Sequence, residues 1–230
     1  MAKSAPNSFR LLMASNLFFL LASILYCISS GLQLQNINNK DETIESGDSR
    51  GLLFAGAFCF VIVGAFDYYN HRPRTWLHLT LIFAGVFGCI SAVAEPKSNT
   101  SVAFNWASTH FYLLEALQLL YRNVKKRKDE SQTIRGLRLV ADVEFFLGAV
   151  LDICLSYVHI ARKDEETSIT AMKTDLVSCM FWLIAALLTN ALCLYVGKDG
   201  VKVPKEETAT MSLAMNGGET TTGSFQADMT

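Results

Sequence analysis

Acidic side chains inside otherwise apolar segments are the residues of this chain best able to do chemistry. Lys and Arg are missing from the middle of these segments, but four acids are present there: Glu115, Asp142, Glu144 and Asp152. A carboxylate at bilayer depth costs about 2.5–3.5 kcal/mol, so it must face other helices, be protonated or have a partner. Such acids are suited to binding a cation or exchanging protons.

The spacing of Glu144 and Asp152 in the fifth apolar segment places these two acids on one helix face. Glu144, Gly148, Asp152 and Ser156 follow at intervals of four residues. Residues four apart lie above one another on a helix, so this segment carries a polar stripe. The stripe predicts that one side of the segment faces other protein groups rather than lipid.

A polar layer is predicted from depth. Asn16, Glu115, Glu144 and Asn190 lie six to eight residues from flanking Lys or Arg residues, which is about 9–12 Å along a helix. We expect them to meet in one layer on four helices, with Asp152 and His159 above it. The candidate intramembrane site comprises Asn16, His110, Glu115, Gln118, Glu144, Asp152, His159 and Asn190.

Two functions follow from this layer. The acids line a polar cavity or a proton or cation path between the fourth and fifth segments, which predicts a transporter or channel for protons, cations or small solutes. Alternatively, neutral Glu115 and Glu144 hydrogen-bond to Asn16, Asn190 and Gln118 and hold the helices together. The second interpretation predicts a membrane scaffold or interaction protein without catalytic activity.

Six apolar segments of roughly 20 residues must position these side chains. Of the 230 residues, 51% are hydrophobic, and about 20 apolar residues cross a bilayer as a helix. Helices are expected because lipid leaves each segment to satisfy its own backbone. We predict an all-α membrane protein with a cytosolic N-terminus at 1–8, a transmembrane domain at 9–197 and a disordered cytosolic tail at 198–230. Its spans are 9–32, 51–70, 75–94, 102–124, 136–160 and 172–197. The competing class is a soluble all-α protein.

Basic residues set the predicted orientation. Placing both termini in the cytosol puts fourteen of the twenty Lys and Arg residues on the cytosolic side and six on the other, as the positive-inside rule requires. The membrane is the plasma membrane or an endomembrane. Asn99, Thr100 and Ser101 form an N-glycosylation sequon in an outer loop, which makes Asn99 a glycosylation candidate.

A basic cluster and several glycines suggest partners. Lys125, Lys126, Arg127 and Lys128 form a cluster that attracts anionic lipid by about 1 kcal/mol per residue, although such clusters also serve only to orient the chain. Small residues permit close helix approach, within one chain or in homo- or hetero-oligomers. Nucleic-acid motifs are absent from the sequence.

Other residue types argue against an enzyme. The four histidines (His71, His78, His110 and His159) lie at unequal predicted depths, which disfavours paired haem ligation of the cytochrome b561 type. The six cysteines lie in or beside apolar segments without metal-ligand spacing, so we expect packing roles, no metal and no cofactor. Seven aromatic residues, Trp182 among them, are interpreted as interfacial anchors.

An internal repeat is predicted between the first and fifth segments. Residues 14–29 (ASNLFFLLASILYCIS) match residues 141–156 (ADVEFFLGAVLDICLS) at seven of sixteen positions. Spans one and two would then be related to spans five and six. The hairpin FFLLASILYCISS followed by GLLFAGAFCFVIVGAFDYYNHR resembles the YrhK-like small membrane domain, with Glu144 and Asp152 departing from it in the second copy. The resemblance implies a helical hairpin and no chemistry.

Overall fold

The computed structural model of this protein describes residues 5–39, 47–70, 79–95, 98–126, 132–161 and 165–196. This part of the chain is helical, and the six helices confirm the all-α prediction. They are α1 (Ala5–Asn39), α2 (Gly47–Asn70), α3 (Thr80–Val93), α4 (Asn99–Lys126), α5 (Gln132–Ala161) and α6 (Glu165–Val196). The predicted tail 198–230, most of the N-terminal segment 1–8, Arg127 and Lys128 lie outside the described residues.

The six helices form a closed ring. Each helix packs against the one before and the one after it, and α6 packs against α1. Hydrogen bonds fix the antiparallel order, since Ser29 of α1 donates to the Ser49 carbonyl of α2 at 2.8 Å, whereas Ser15 donates to Asp67 at 3.1 Å. The start of α1 and the end of α6 lie at one end of the ring, which we call the terminal end. The opposite end is the far end.

Large apolar side chains cover the outside of the bundle, and small polar side chains are buried beside its apolar core. Leu17, Leu21, Ile24 and Ile28 of α1 are between 38% and 54% exposed. Small polar side chains are buried instead, and the serines among them are Ser15, Ser23, Ser29, Ser30, Ser49, Ser108, Ser156 and Ser178. Water disfavours a large exposed apolar surface, whereas lipid favours it. This distribution fits the predicted membrane protein.

Three helices are long and apolar enough to cross a membrane. The candidate spans are Phe9–Gln35 in α1, Asp48–Tyr69 in α2 and Ile169–Val196 in α6. Helix α3 has 14 residues, or about 21 Å at 1.5 Å per residue, which is shorter than a ~30 Å hydrocarbon core. The predicted third span, 75–94, begins among residues 71–78, outside the described part.

Helices α4 and α5 have 28 and 30 residues, but their polar side chains make them less apolar than α1, α2 and α6. Their outward faces are nevertheless apolar: Leu114 and Leu117 on α4, and Val140, Val143 and Leu147 on α5, are all at least 38% exposed. The polar residues therefore face inward. Apolar outward faces of this kind are what a membrane crossing by α4 and α5 requires.

Buried positions recur every seven residues along the helices. In α1 they are residues 15–16, 22–23 and 29–30, and in α6 they are 171, 178–179, 185–186 and 192–193. A seven-residue repeat is the signature of helices packed along their length at shallow angles. Most of these residues are Ala, Ser or Cys, so α1 and α6 can approach closely.

The predicted repeat has a different phase in the structure. The buried pairs of α5 are 141–142, 148–149 and 155–156, each 126 residues after its counterpart in α1. The sequence match instead uses an offset of 127, which aligns buried Asn16 with exposed Val143. Since 126 is a multiple of seven, a shared packing period explains the common burial pattern. A relation between the two hairpins stays a prediction.

Candidate functional site

Aromatic side chains fill the centre of the ring. Phe60 of α2, Tyr112 of α4 and Trp182 of α6 contact one another, with ring centroids 4.9 Å, 5.3 Å and 4.8 Å apart. These helices alternate with α1, α3 and α5 around the ring, so their side chains meet only near the axis. Tyr26 and Phe145 pack against Trp182 at 5.8 Å and 5.6 Å. We call these five residues the aromatic plug.

Trp182 therefore does not serve as an interfacial anchor, contrary to the prediction. Its side chain is 2% exposed and lies in the plug. The reason is the glycine opposite it: a Cβ atom at Gly148 of α5 would collide with the Trp182 indole. Only glycine leaves space for the indole between α5 and α6.

Two half-buried carboxyl groups lie on the far side of the plug. Asp152 of α5 forms a hydrogen bond with Ser178 of α6, and Ser178 Oγ lies 2.9 Å from the Gly148 carbonyl oxygen. Asp175 of α6 accepts a hydrogen bond from Ser30 of α1. Asp152 and Asp175 interact electrostatically. We call Asp152, Asp175, Ser30 and Ser178 the far-end cluster.

Polar atoms of the plug lie beside the far-end cluster. The phenols of Tyr26 and Tyr112 both interact electrostatically with Asp152. Trp182 Nε1 is buried and has no hydrogen-bond partner in the described part of the chain, and the buried Tyr112 phenol interacts with that of Tyr26. Buried donors of this kind usually bind a water molecule or a ligand. The cluster therefore has spare hydrogen-bonding capacity towards a small polar species.

A second polar group, the terminal-end network, lies on the other side of the plug. Thr80 of α3 donates to Glu115 of α4, and Gln118 Nε2 donates to Thr80 Oγ1 at 3.4 Å. Arg122 donates to Gln118 at 3.4 Å and interacts electrostatically with Asp67 of α2. The terminal end thus contains a base beside its acids, contrary to the expectation of acids without bases.

The predicted four-helix layer forms in part. Asn190 Nδ2 of α6 donates to the Asn16 carbonyl of α1 at 2.9 Å, so these two residues do meet. Glu115 and Gln118 both bond to Thr80. Glu144 is only partly buried, and its Oε2 atom has no hydrogen-bond partner among the described residues.

Glu115 and Asp152 do not face the contact between α4 and α5, where the path was predicted. Glu115 bonds to α3 and Asp152 bonds to α6, which are the outer neighbours of the α4–α5 pair. Side chains at this pair are instead joined by Thr109 and Ser156, whose hydroxyl oxygens are 3.5 Å apart. Rotation of each helix about its axis decides which neighbour an acid meets, and spacing along the chain does not determine that rotation.

His110 lies at the rim of the bundle. Its Nδ1 atom is 2.7 Å from the Trp106 carbonyl oxygen, and its Nε2 atom is 3.5 Å from the Tyr157 hydroxyl. The His159 side chain, His71 and His78 lie outside the described residues. Within the described chain, no group of three His, Cys, Asp or Glu side chains is arranged to hold a metal ion.

The glycosylation candidate begins a helix. Ser98 Oγ accepts a hydrogen bond from the Ser101 backbone at 3.1 Å, so Ser98 caps α4 and Asn99 is its first residue. Ser101, the third sequon residue, donates to the Ser91 carbonyl at 3.1 Å. The sequon thus lies in an exposed helical turn rather than in a loop.

Asp175 and Asp67 are site residues that sequence reasoning missed. Both lie near span ends, where charged residues are ordinary. A signal for Asp175 exists: Asp175, Ser178, Cys179 and Trp182 follow at i, i+3, i+4 and i+7, which is one face of a helix.

Neither a family model, nor a curated protein, nor a solved structure matches this chain. The resemblance to the YrhK-like domain stays a prediction, and functional inference rests on the geometry of the interior.

Proposed function

We propose that this protein is a six-pass membrane transporter or channel that moves protons or a small cation through its interior. The observation that carries the proposal is Asp152. It is half-buried at the contact between α5 and α6, bonds to Ser178 and is adjacent to a second carboxyl group, Asp175. Among the described residues, no basic group contributes to its electrostatic surroundings.

A carboxyl group in this position needs compensation. Inside a membrane protein an acid is stable when it is protonated, paired with a base or bound to a cation. With no base beside Asp152, a proton or a cation is the natural counterpart. The hydroxyls of Ser30 and Ser178 and the phenols of Tyr26 and Tyr112 can replace water around such an ion.

The arrangement around the plug fits alternating access. Polar groups line the interior on both sides, but Phe60, at 0% exposure, and Trp182 close the axis between them. An ion held at Asp152 would reach the terminal-end network only when these rings move. In the proposed cycle this arrangement corresponds to an occluded state.

The orientation completes the proposal. Arg122 and Arg138 lie at the terminal end with the start of α1, and fourteen of the twenty basic residues belong to that side. Both termini are then cytosolic. Lys125, Lys126, Arg127 and Lys128 follow Arg122 in the sequence and, on the cytosolic side, would bind anionic lipid.

Purified protein in sealed liposomes tests the proposal. A proton or cation gradient is imposed, and flux is followed with a trapped fluorescent indicator. Asp152→Asn should reduce wild-type flux at least tenfold, whereas Glu95→Gln, which alters an exposed acid, should leave it unchanged. Absence of flux in the wild type, or equal flux in Asp152→Asn, would remove the transport function.

A non-catalytic scaffold is the second candidate, and close packing favours it. A Cβ atom at Gly64 would meet the Ile82 backbone at 2.8 Å, and one at Gly85 would meet the Ala57 carbonyl at 2.7 Å. Helices in such contact resist rearrangement. A wild type without flux that copurifies with a stoichiometric partner would support this function instead.

A further inference from the structure

We infer that the ion is the proton, and that Asp152 carries it in the state seen here by donating a hydrogen bond to Ser178. This inference names the substrate of the proposed transporter and so rests on that function. It rests on the single hydrogen that the Ser178 hydroxyl can donate and on the contacts of the neighbouring plug.

Ser178 has two neighbours that can accept a hydrogen bond. Its Oγ atom lies 2.9 Å from the Gly148 carbonyl oxygen and contacts the Asp152 carboxyl oxygen. A hydroxyl has one hydrogen, and a backbone carbonyl can only accept. If Ser178 donates to Gly148, the hydrogen between Ser178 and Asp152 must belong to Asp152. Both contacts are then satisfied without a charge in the interior.

Loss of that proton would change the partners of Ser178. An ionised Asp152 only accepts, so it would compete with the Gly148 carbonyl for the single hydroxyl hydrogen. The α5–α6 contact at Gly148 would lose its hydrogen bond. This is the point where the Trp182 indole fits against α5. Deprotonation of Asp152 is thereby coupled to the position of the plug.

The groups that face Asp152 agree with a proton rather than a metal ion. They are Asp175 and Cys179 from α6, Tyr112 from α4 and Tyr26 from α1. Asp175 is engaged with Ser30, and Cys179 Sγ is 3.3 Å from Ser30 Oγ. The Trp182 indole beside them can only donate a hydrogen bond, so it cannot ligate a metal ion. A metal ion such as Ca²⁺ or Mg²⁺ needs about six oxygen ligands, whereas a proton needs only the carboxyl group and one acceptor.

Infrared spectroscopy of the reconstituted protein at neutral pH tests the protonation state without measuring transport. The spectrum of wild type minus Asp152→Asn should contain the carbonyl stretch of one protonated carboxyl group. Asparagine keeps the shape and can still donate to Ser178, and circular dichroism checks its fold. In Ser178→Ala the same band should persist at higher frequency, because the carboxyl loses its acceptor. A difference spectrum with only carboxylate bands would overturn the inference.

Trp182 fluorescence tests the coupling. With Trp76→Phe and Trp106→Phe, Trp182 is the remaining tryptophan. Its emission should change with rising pH at the midpoint where the infrared band disappears, and Asp152→Asn should abolish the change. An unaltered response in Asp152→Asn would refute the coupling. If the infrared band is present but liposomes show no proton flux, the transport function is rejected and the protonation of Asp152 stands. If a metal cation is transported and the band is absent, transport stands and the proton is rejected as the substrate.

Discussion

Replacing Gly85 by alanine should destabilise the bundle, because α3 and α2 are in backbone contact at this position. A Cβ atom there would lie 2.7 Å from the Ala57 carbonyl oxygen and 2.8 Å from the Val61 backbone nitrogen. These are backbone atoms, so no side chain can rotate away. Reaching ordinary contact at 3.4 Å from the Ala57 oxygen requires the helices to separate by about 0.7 Å, and overpacking of this kind costs about 1–3 kcal/mol.

Gly136→Ala is the matched control. Nothing lies within 4 Å of a Cβ atom at this exposed position of α5. Alanine is favoured over glycine in a helix by up to about 1 kcal/mol, and this gain applies to both variants. The gain therefore cancels when the variants are compared. We expect Gly85→Ala to be less stable than Gly136→Ala by about 1–3 kcal/mol.

Unfolding in mixed micelles by increasing sodium dodecyl sulfate, followed by circular dichroism, measures this difference. Each variant is compared with the wild type at the same detergent concentration. Equal free energies of unfolding for the two variants would show that α2 and α3 do not pack through Gly85. That result would refute the antiparallel ring in this region.

Three other substitutions probe separate parts of the bundle. Phe60→Ala removes a fully buried ring of the plug, so it should lower the free energy of unfolding by about 3–5 kcal/mol and raise passive proton leak in liposomes. A variant that is as stable and as impermeable to protons as the wild type would contradict the packing of Phe60 in the plug. Asn190→Leu removes the donor to Asn16 and should cost about 0.6–2 kcal/mol in the same unfolding assay, whereas no loss would show that α1 and α6 are not joined there. Ser108→Ala removes the 2.8 Å hydrogen bond to the Ala84 carbonyl and should cost about 0.6 kcal/mol; a loss as large as that of Phe60→Ala would contradict a single hydrogen bond at this site.

The number and type of helices could be predicted from the sequence because lipid imposes a simple rule on each segment separately. Apolar length and internal backbone bonding do not depend on the neighbouring helix. The meeting of Asn16 and Asn190 also followed from depth, since both residues lie a similar distance from the basic ends. Position along the membrane normal can be read from a single chain.

Rotation of the helices could not be predicted in the same way. Asp152 turns towards α6, and Glu115 turns towards α3. Several faces of each helix are apolar enough to be buried, so the sequence does not show which face meets which neighbour. The three central rings of the aromatic plug come from helices that are not adjacent in the ring, and Trp182 fits only because Gly148 leaves space for it. No local pattern encodes contacts between such distant segments.

The central claim is that the polar helices α4 and α5 cross the membrane with their polar faces turned inward. The most direct test introduces a single cysteine at Glu95, before α4, or at Gln132, at the start of α5; both positions are exposed. Sealed cells are treated with a membrane-impermeant maleimide before and after permeabilisation, with the wild type as blank. We predict that Glu95→Cys is labelled in sealed cells and that Gln132→Cys is labelled only after permeabilisation. Labelling of both positions from the same side would contradict the account, because α4 could not then span the bilayer.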